Sequence, residues 1–220
     1  MESTKTRILK KLLETDGYLS GQELCEQLGV SRTAVWKYMK QLKEEGYEIE
    51  AVQNKGYCLK DVPDVLGESE IKSRLHTRWA GQTLYYYDEI DSTNTQIKRL
   101  AEEDAPHGTL AVADYQSKGK GRRGRAWDSP HGSAIYMSIL FRPEIRPDRA
   151  SMLTLVIGLS VTQAIRSNLG LQAQIKWPND VVVSHKKICG ILTEMGVRDG
   201  KIDYAVVGVG INVNVRECPE

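Results

Sequence analysis

The hydrophobic period of this 220-residue chain changes from helical to strand-like near residue 47 and breaks altogether at Asp61 to Gly67, and that break divides it into two parts. Ile8, Leu9, Leu12 and Leu13 share one face of a helix that stops near Gly17. Ser20, with Glu23 three residues later, reads as a capping box for a second helix carrying Leu24 and Leu28 and ending at Gly29. Ser31 caps a third helix, whose inward stripe is Val35, Met39 and Leu42 and which ends at Gly46. From Tyr47 to Val52 and from Tyr57 to Lys60 the alternation is that of strands, folded back around Asn54-Lys55-Gly56. Two helices joined by the short Leu28 to Ser31 corner, then a hairpin, predict a winged helix-turn-helix over residues 1–62. The stretch around Asp61 to Gly67 breaks both periods, so 63–68 is read as a linker and 69–220 as a larger domain.

With its apolar stripe turned inward, the third helix presents Ser31, Arg32, Thr33, Trp36, Lys37 and Lys40 to solvent, and the hairpin tip adds Lys55. Basic and acidic residues nearly balance over residues 1–60, so bulk charge decides nothing. The placement does: cationic and hydroxyl side chains gather at the start of the helix that would enter a DNA groove, and Lys55 falls where a wing meets phosphate. A helical interaction module that never meets nucleic acid is the competing reading.

In the larger domain, β-rich runs are Thr83–Tyr87, Thr109–Ala113, Ala134–Phe141, Ala173–Lys176, Val181–Ser184, Ile188–Met195 and Ile202–Val209. Asn94–Glu103 and Arg149–Leu169 have helical patterns. Tight turns at Ser184-His185-Lys186 and Arg198-Asp199-Gly200-Lys201 join neighbouring strands. The expected class is therefore α+β, a mixed or antiparallel sheet with helices packed on one face.

The chemistry is concentrated between Gly119 and Trp127, where Lys120, Arg122, Arg123 and Arg125 crowd a loop punctuated by Gly119, Gly121 and Gly124. Four neighbouring cations call for an anion: guanidinium groups grip phosphate or carboxylate in pairs of hydrogen bonds, and Trp127 offers a face for a base. The glycines satisfy G-x-G-x-x-G, but basic residues fill the gaps and Trp127-Asp128-Ser129-Pro130 follows where a dinucleotide fold needs a helix. A solvated basic loop would explain the charge, though not the glycines and tryptophan. Asp91-Ser92-Thr93-Asn94 is either a simple helix cap or site material. Lys176-Trp177-Pro178-Asn179-Asp180 holds more chemistry than a turn needs, and Lys187 opens a strand with Ile188, Gly190 and Leu192 behind it.

A net charge of +1 and 40% hydrophobic content exclude a generally basic coat protein and allow a sizeable core. With no leader pattern at Met1 and apolar runs such as Leu153 to Leu159 too short for a bilayer, the expectation is a cytoplasmic protein with no membrane partner. Cys25, Cys58, Cys189 and Cys218, and likewise His76, His107, His131 and His185, are scattered. Reduced thiols and no metal centre are expected.

The Gly119 to Trp127 loop, Ser92-Thr93-Asn94, Gln116, Lys176 to Asp180, Lys187-Ile188-Cys189-Gly190-Ile191-Leu192 and Gly208-Val209-Gly210-Ile211-Asn212 stand in one order that resembles the biotin protein ligases. With the winged helix in front, the chain resembles their bifunctional bacterial form, ligase and biotin operon repressor together. The resemblance implies that biotin and ATP, with the Mg²⁺ that ATP brings, give biotinyl-5′-AMP, and that biotin then passes to a lysine of a biotin carboxyl carrier protein. It implies a biotin side of Ser92, Thr93, Asn94, Gln116, Lys120, Gly121, Arg122 and Lys187. The adenylate side would be Gly119, Lys120, Arg122, Arg125, Trp127, Asn179 and Asn212. Lys187 and Arg122 would serve as catalytic cations, and Asp180 is a catalytic candidate on chemistry alone.

It further implies a homodimer on operator DNA when biotinyl-AMP is bound, and a catalytic domain that continues past residue 220 into a C-terminal β-barrel. One departure stands out: Lys120 occupies a position where the family commonly carries arginine. A non-catalytic, ligand-sensing regulator and a lipoyl ligase-like transferase are the alternatives.

Overall fold

The computed structural model describes residues 3–215. Cys218, read above as a reduced thiol, lies outside the described residues. The chain divides into two compact units, Met1–His76 and Thr77–Glu220.

In the first unit, helix α1 (Thr4–Glu14), α2 (Gly21–Leu28) and α3 (Arg32–Glu44) precede a two-stranded antiparallel hairpin, β1 (Glu48–Val52) and β2 (Gly56–Asp61). Ser3, Ser20 and Ser31 each cap their helix by accepting the amide of the third residue on. The capping box at Ser20 forms only by its serine half. Glu23 instead accepts a hydrogen bond from Gln27 one turn further along, 3.0 Å away. Ile8, Leu9, Leu24, Val35, Met39, Leu42 and Ile49 close a single core, and a main-chain bridge between Leu19 and Tyr57 ties the hairpin to the turn before α2. Residues beyond the expected linker belong to this unit as well: α4 (Glu68–Arg74) packs on α1, and Tyr47 donates to Glu70 at 2.7 Å. The unit boundary accordingly falls after His76 rather than within 63–68. At seven residues, about two turns, α4 is too short to show a period, which left it unread in the sequence.

In the second unit, β3 (Leu84–Ile90), α5 (Thr93–Glu102) and β4 (Leu110–Gln116) form a parallel crossover. Next come β5 (Ala134–Phe141), α6 (Ser151–Leu169), β6 (Gln174–Lys176), β7 (Asp180–Val183), β8 (Lys186–Arg198) and β9 (Lys201–Asn212). The seven strands lie in the order β3-β4-β5-β9-β8-β7-β6, antiparallel except for the first pair. Ser184 and His185, then Asp199 and Gly200, take positive φ in two-residue hairpin turns, which matches the strand twist.

The mixed α+β sheet is as expected, but its helices are not confined to one face. Ile97, Leu100 and Ala101 of α5 pack on Ala111, Leu140 and Val206, whereas Val161 and Ile165 of α6 pack on Ile191, Val207 and Val209. Successive strand residues point to opposite faces, so Val206 and Val207 assign the two helices to opposite sides. Central strand β9 is buried without alternation from Ala205 to Val209, as a strand covered on both faces must be.

The estimate that no apolar run could cross a bilayer counted uninterrupted residues only. Pro147–Leu169 is a continuous helical stretch of 23 residues that contains an 18-residue window of mean hydropathy 1.2, 28% of it buried. Its inward residues Gly158, Val161, Thr162 and Ile165 are buried, while Met152, Val156 and Leu159 face outward.

Candidate functional site

The α5 face of the sheet carries the site, because there the central strands run out of side chains. Gly190 on β8 and Gly210 on β9 are cross-strand partners, and a Cβ on either would meet the Trp127 ring at 2.6 and 2.8 Å. The indole therefore lies against bare backbone, a position only two glycines leave open. Beside it, a Cβ on Gly208 would meet Asn94 Oδ1 at 2.0 Å. Paired glycines along two strands thus cut a trough in the sheet, and the cavity above it measures about 650 Å³.

One end of the trough is neutral and buried. Ser92, Thr93, Asn94 and Gln116 are at most 9% exposed. The side chain of Ser92 does not cap α5. Instead Gln116, arriving from β4, accepts the Thr93 amide at 2.8 Å through Oε1 and donates to Ser129 at 3.0 Å through Nε2. Ser138 of β5 donates to Asn94 Oδ1 at 2.6 Å, and Asn94 Nδ2 donates to Glu194 at 2.8 Å. Glu194 also pairs with Lys98. Burial pushes the Glu194 carboxyl up, but hydrogen bonds from Lys98 and Asn94 and the nearby positive charge outweigh it and hold it below its ordinary value.

The other end is cationic. Residues Gly119 to Trp127 form a small hairpin: Trp127 N–H donates to Gly119 at 2.9 Å, Gly121 N–H donates to Arg125 at 2.8 Å, and Lys120 bridges to Ala126. Arg122 to Gly124 make a single tight turn at the tip. The hairpin spans the cavity, with Lys120 Nζ donating to Thr95 Oγ1 of α5 at 2.9 Å and Arg122 donating to Asn179 Oδ1 of the β6–β7 turn at 2.7 Å. Among the described residues none of Lys120, Arg122, Arg123 and Arg125 has an ion-pair partner, and all four are exposed. On the facing wall Lys187 Nζ sits 5.2 Å from the centroid of the Trp127 ring and 2.9 Å from Asp180 Oδ1. That contact is an approach of charges without hydrogen-bond alignment, since Asp180 Oδ1 is buried and accepts no hydrogen bond. The Trp127 Nε1 donor is buried too and has no hydrogen-bond partner among the described residues.

The residues singled out above thus meet in one place: Ser92, Thr93, Asn94, Gln116, Lys120, Gly121, Arg122, Arg125, Trp127, Asn179, Asp180, Lys187 and Asn212 all line the cavity. Gly119 does not. Its missing Cβ would strike the Trp127 carbonyl at 2.2 Å, so its place is the base of the hairpin. Sequence reasoning missed Ser138, Glu194, Thr95 and Ser129. Two of these leave a signal, a serine within the strand AIYMSILF and a glutamate within ILTEMGV, where inward polar groups need a reason. Cys189, beneath the floor, has its thiol pushed up to about 12, chiefly by burial, and is chemically inert.

In the first unit, Ser31 is spent on its cap. Arg32, Thr33, Trp36 (60% exposed), Lys37 and Lys40 stand in solvent along α3 as expected. Arg32 donates to Gln22 at 2.8 Å, and Lys55 at the hairpin tip lies 5.6 Å from the Tyr18 ring centroid.

Residues 86–212 match the biotin/lipoate A/B protein ligase family, and residues 4–58 match a helix-turn-helix domain. The chain is 45% identical over 216 residues to the bifunctional ligase/repressor BirA of Bacillus spizizenii, covering 97% of this chain and 66% of that protein. It is 35% identical over 210 residues to the protein of the same name in Escherichia coli, covering 95% of this chain and 64% of that one. Among solved structures it is similar to the biotin protein ligase of Aquifex aeolicus in complex with biotin and ATP. That match has TM-score 0.50 and 40% identity over 63% of this chain and 56% of the other. It is also similar to the biotin protein ligase of Leishmania major in complex with biotinyl-5-AMP, with TM-score 0.54 and 27% identity over 63% of this chain and 60% of the other.

Proposed function

From a chain that belongs to the biotin/lipoate A/B protein ligase family, we propose a protein that joins biotin to ATP, passes the biotinyl group to a carrier-protein lysine and represses transcription with the adenylate bound. The observation that carries this reading is the polarity of a single cavity of about 650 Å³, which has a neutral, hydrogen-bonded end and a cationic end.

In this reading Ser92, Thr93, Asn94 and Gln116 hold the ureido ring. The biotin carboxylate approaches the α-phosphate of ATP beside Lys187 and Arg122. Anion meets anion there, so fixed cations must offset the repulsion and the charge that develops as pyrophosphate leaves. Lys120, Gly121 and Arg125 belong to the cover, which excludes water from a hydrolysable mixed anhydride. Trp127, Asn179 and Asn212 border the adenylate. Mg²⁺ enters with the ATP phosphates. In the second step the amine of a biotin carboxyl carrier protein attacks the acyl carbon and AMP departs. A free lysine has a pKa of about 10.4, so the amine must surrender a proton, and Asp180 takes it.

The relatives named for ligase and repressor activity support the two-function reading over a purely sensing regulator, and the similar solved structures are named as biotin protein ligases, which favours biotin over lipoate. The exposed basic face of α3 and Lys55 support operator binding through Arg32, Thr33, Trp36, Lys37 and Lys40. We further infer a cytoplasmic protein that dimerises once the adenylate forms, matching a two-fold operator.

Biotin-dependent exchange of labelled pyrophosphate into ATP tests the ligase, and absence of exchange would sink it. Replacing Lys37 with Ala is expected to weaken operator binding across all sequences and to lower the salt slope by about 1. Sedimentation with and without biotin plus ATP tests the switch, and equal association in both states removes it.

A further inference from the structure

Asn94 is held by more groups than a helix start requires. Its Nδ2 donates to Glu194 at 2.8 Å and lies 3.4 Å from the Leu192 carbonyl, its Oδ1 accepts from Ser138 at 2.6 Å, and the amide rests over Gly208, where any Cβ would collide with it. An amide has two orientations that differ only by exchanging a donor for an acceptor. What selects between them is a neighbour that can play one role alone: the Leu192 carbonyl, at a long 3.4 Å, and more strongly Glu194, at 2.8 Å. An ionised carboxylate can only accept, and Glu194 is kept in that state by its pairing with Lys98. Ser138, by contrast, can donate or accept and so follows rather than leads.

We propose that Glu194 is a positioning residue that fixes the Asn94 amide with its oxygen toward Ser138 and the cavity floor, so that the site selects a ligand presenting an N–H donor there. The proposal rests on the ligase reading and deepens it. A ureido ring carries two N–H donors, whereas a dithiolane ring has none, and the family contains ligases of both biotin and lipoate. The acceptor state of Asn94 is then a specificity determinant, written on β8, two residues beyond the glycine-cut trough. Ser138 Oγ also lies 2.7 Å from Thr93 Oγ1 on its donor side, while Thr93 gives its own proton to Gln116 Oε1 at 3.1 Å.

The test uses the full chain with Glu194→Gln and Glu194→Asp. Glutamine can turn its own amide and satisfy either orientation of Asn94, whereas aspartate keeps an acceptor-only group. Titration calorimetry is expected to show biotin binding about tenfold weaker in Glu194→Gln and weakened less in Glu194→Asp. The KM for ATP and kcat at saturating biotin should stay unchanged, a split that general damage to the domain would not produce. A biotin analogue with ring oxygen in place of one ureido N–H gives a second arm. The wild type should bind it much more weakly than biotin, and Glu194→Gln should discriminate less. Biotin affinity equal to wild type in Glu194→Gln, with both variants folded by thermal unfolding, overturns the proposal, as does an aspartate variant as weak as the glutamine one. Failure of the wild type to bind biotin at all overturns the ligase reading itself, and the ligand assignment made here with it.

Discussion

At the floor of the cavity, Asn94, Gln116, Ser129 and Ser138 are at most 9% exposed and hydrogen-bonded into the sheet. Across from them, Lys120, Arg122, Arg123 and Arg125 stand exposed on a hairpin that touches the walls through two neutral partners, Thr95 and Asn179. The first region is ordered by its own bonds, because a buried polar group left unpaired costs about 1–3 kcal/mol. The second carries charge that has no ion-pair partner among the described residues and has few bonds to lose if it moves. The contrast teaches a division of labour: a rigid neutral end suits recognition, and a lightly tethered cationic end suits chemistry on anions.

Lys187→Ala gives the hardest test of that division. It should lower biotin-dependent pyrophosphate exchange by about 10²–10³ and weaken biotin binding far less, because Lys187 meets only the carboxylate end. An equal loss in both would merge the two regions into one.

Gly190→Val comes next. A side chain there meets the Trp127 ring at 2.6 Å, so the indole must leave its seat or the strands must part, a strain of about 1–3 kcal/mol measurable by urea unfolding. Unchanged stability would mean that the ring was not seated on the sheet.

Removing the cover's tether with Thr95→Val should have a smaller effect. Hydrolytic loss of the bound adenylate is expected to quicken about threefold, the scale of one exposed hydrogen bond, as read by AMP release.

The smallest effect is pH-linked. Glu194 is held below its ordinary value, so its ionised form adds stability above a carboxylate pKa of about 4.3, and the contribution fades as pH falls through the lowered folded value. Glu194→Gln should therefore be slightly less stable than wild type at pH 7, by less than about 1 kcal/mol. The gap should close below about pH 4 in denaturant titrations.

How much of this could be read in advance differs between the two regions. The cover was legible because its chemistry is local: glycines, cations and tryptophan fall within nine consecutive positions, Gly119 to Trp127. The floor was legible only in part. Ser92, Thr93 and Asn94 could be seen as a helix start, but the partners that decide their roles come from β4, β5 and β8, far away in the chain. Ser138 and Glu194 looked like isolated polar interruptions. The resemblance put Gly119 among the adenylate contacts, and glycine spacing could not show that its missing Cβ faces the protein's own carbonyl rather than a substrate.

From sequence alone came what depends on neighbours three or four residues away. The three capped helices, the hairpins with positive-φ turns and the α+β pattern follow from local backbone preference and hydrophobic period. Only the tertiary structure decided that α5 and α6 cover opposite faces of one sheet, that α4 joins the first unit, and that glycines of two strands clear a seat for Trp127. Those outcomes rest on contacts between distant segments. A one-dimensional pattern shows that a residue is inward, but not which partner it will meet there.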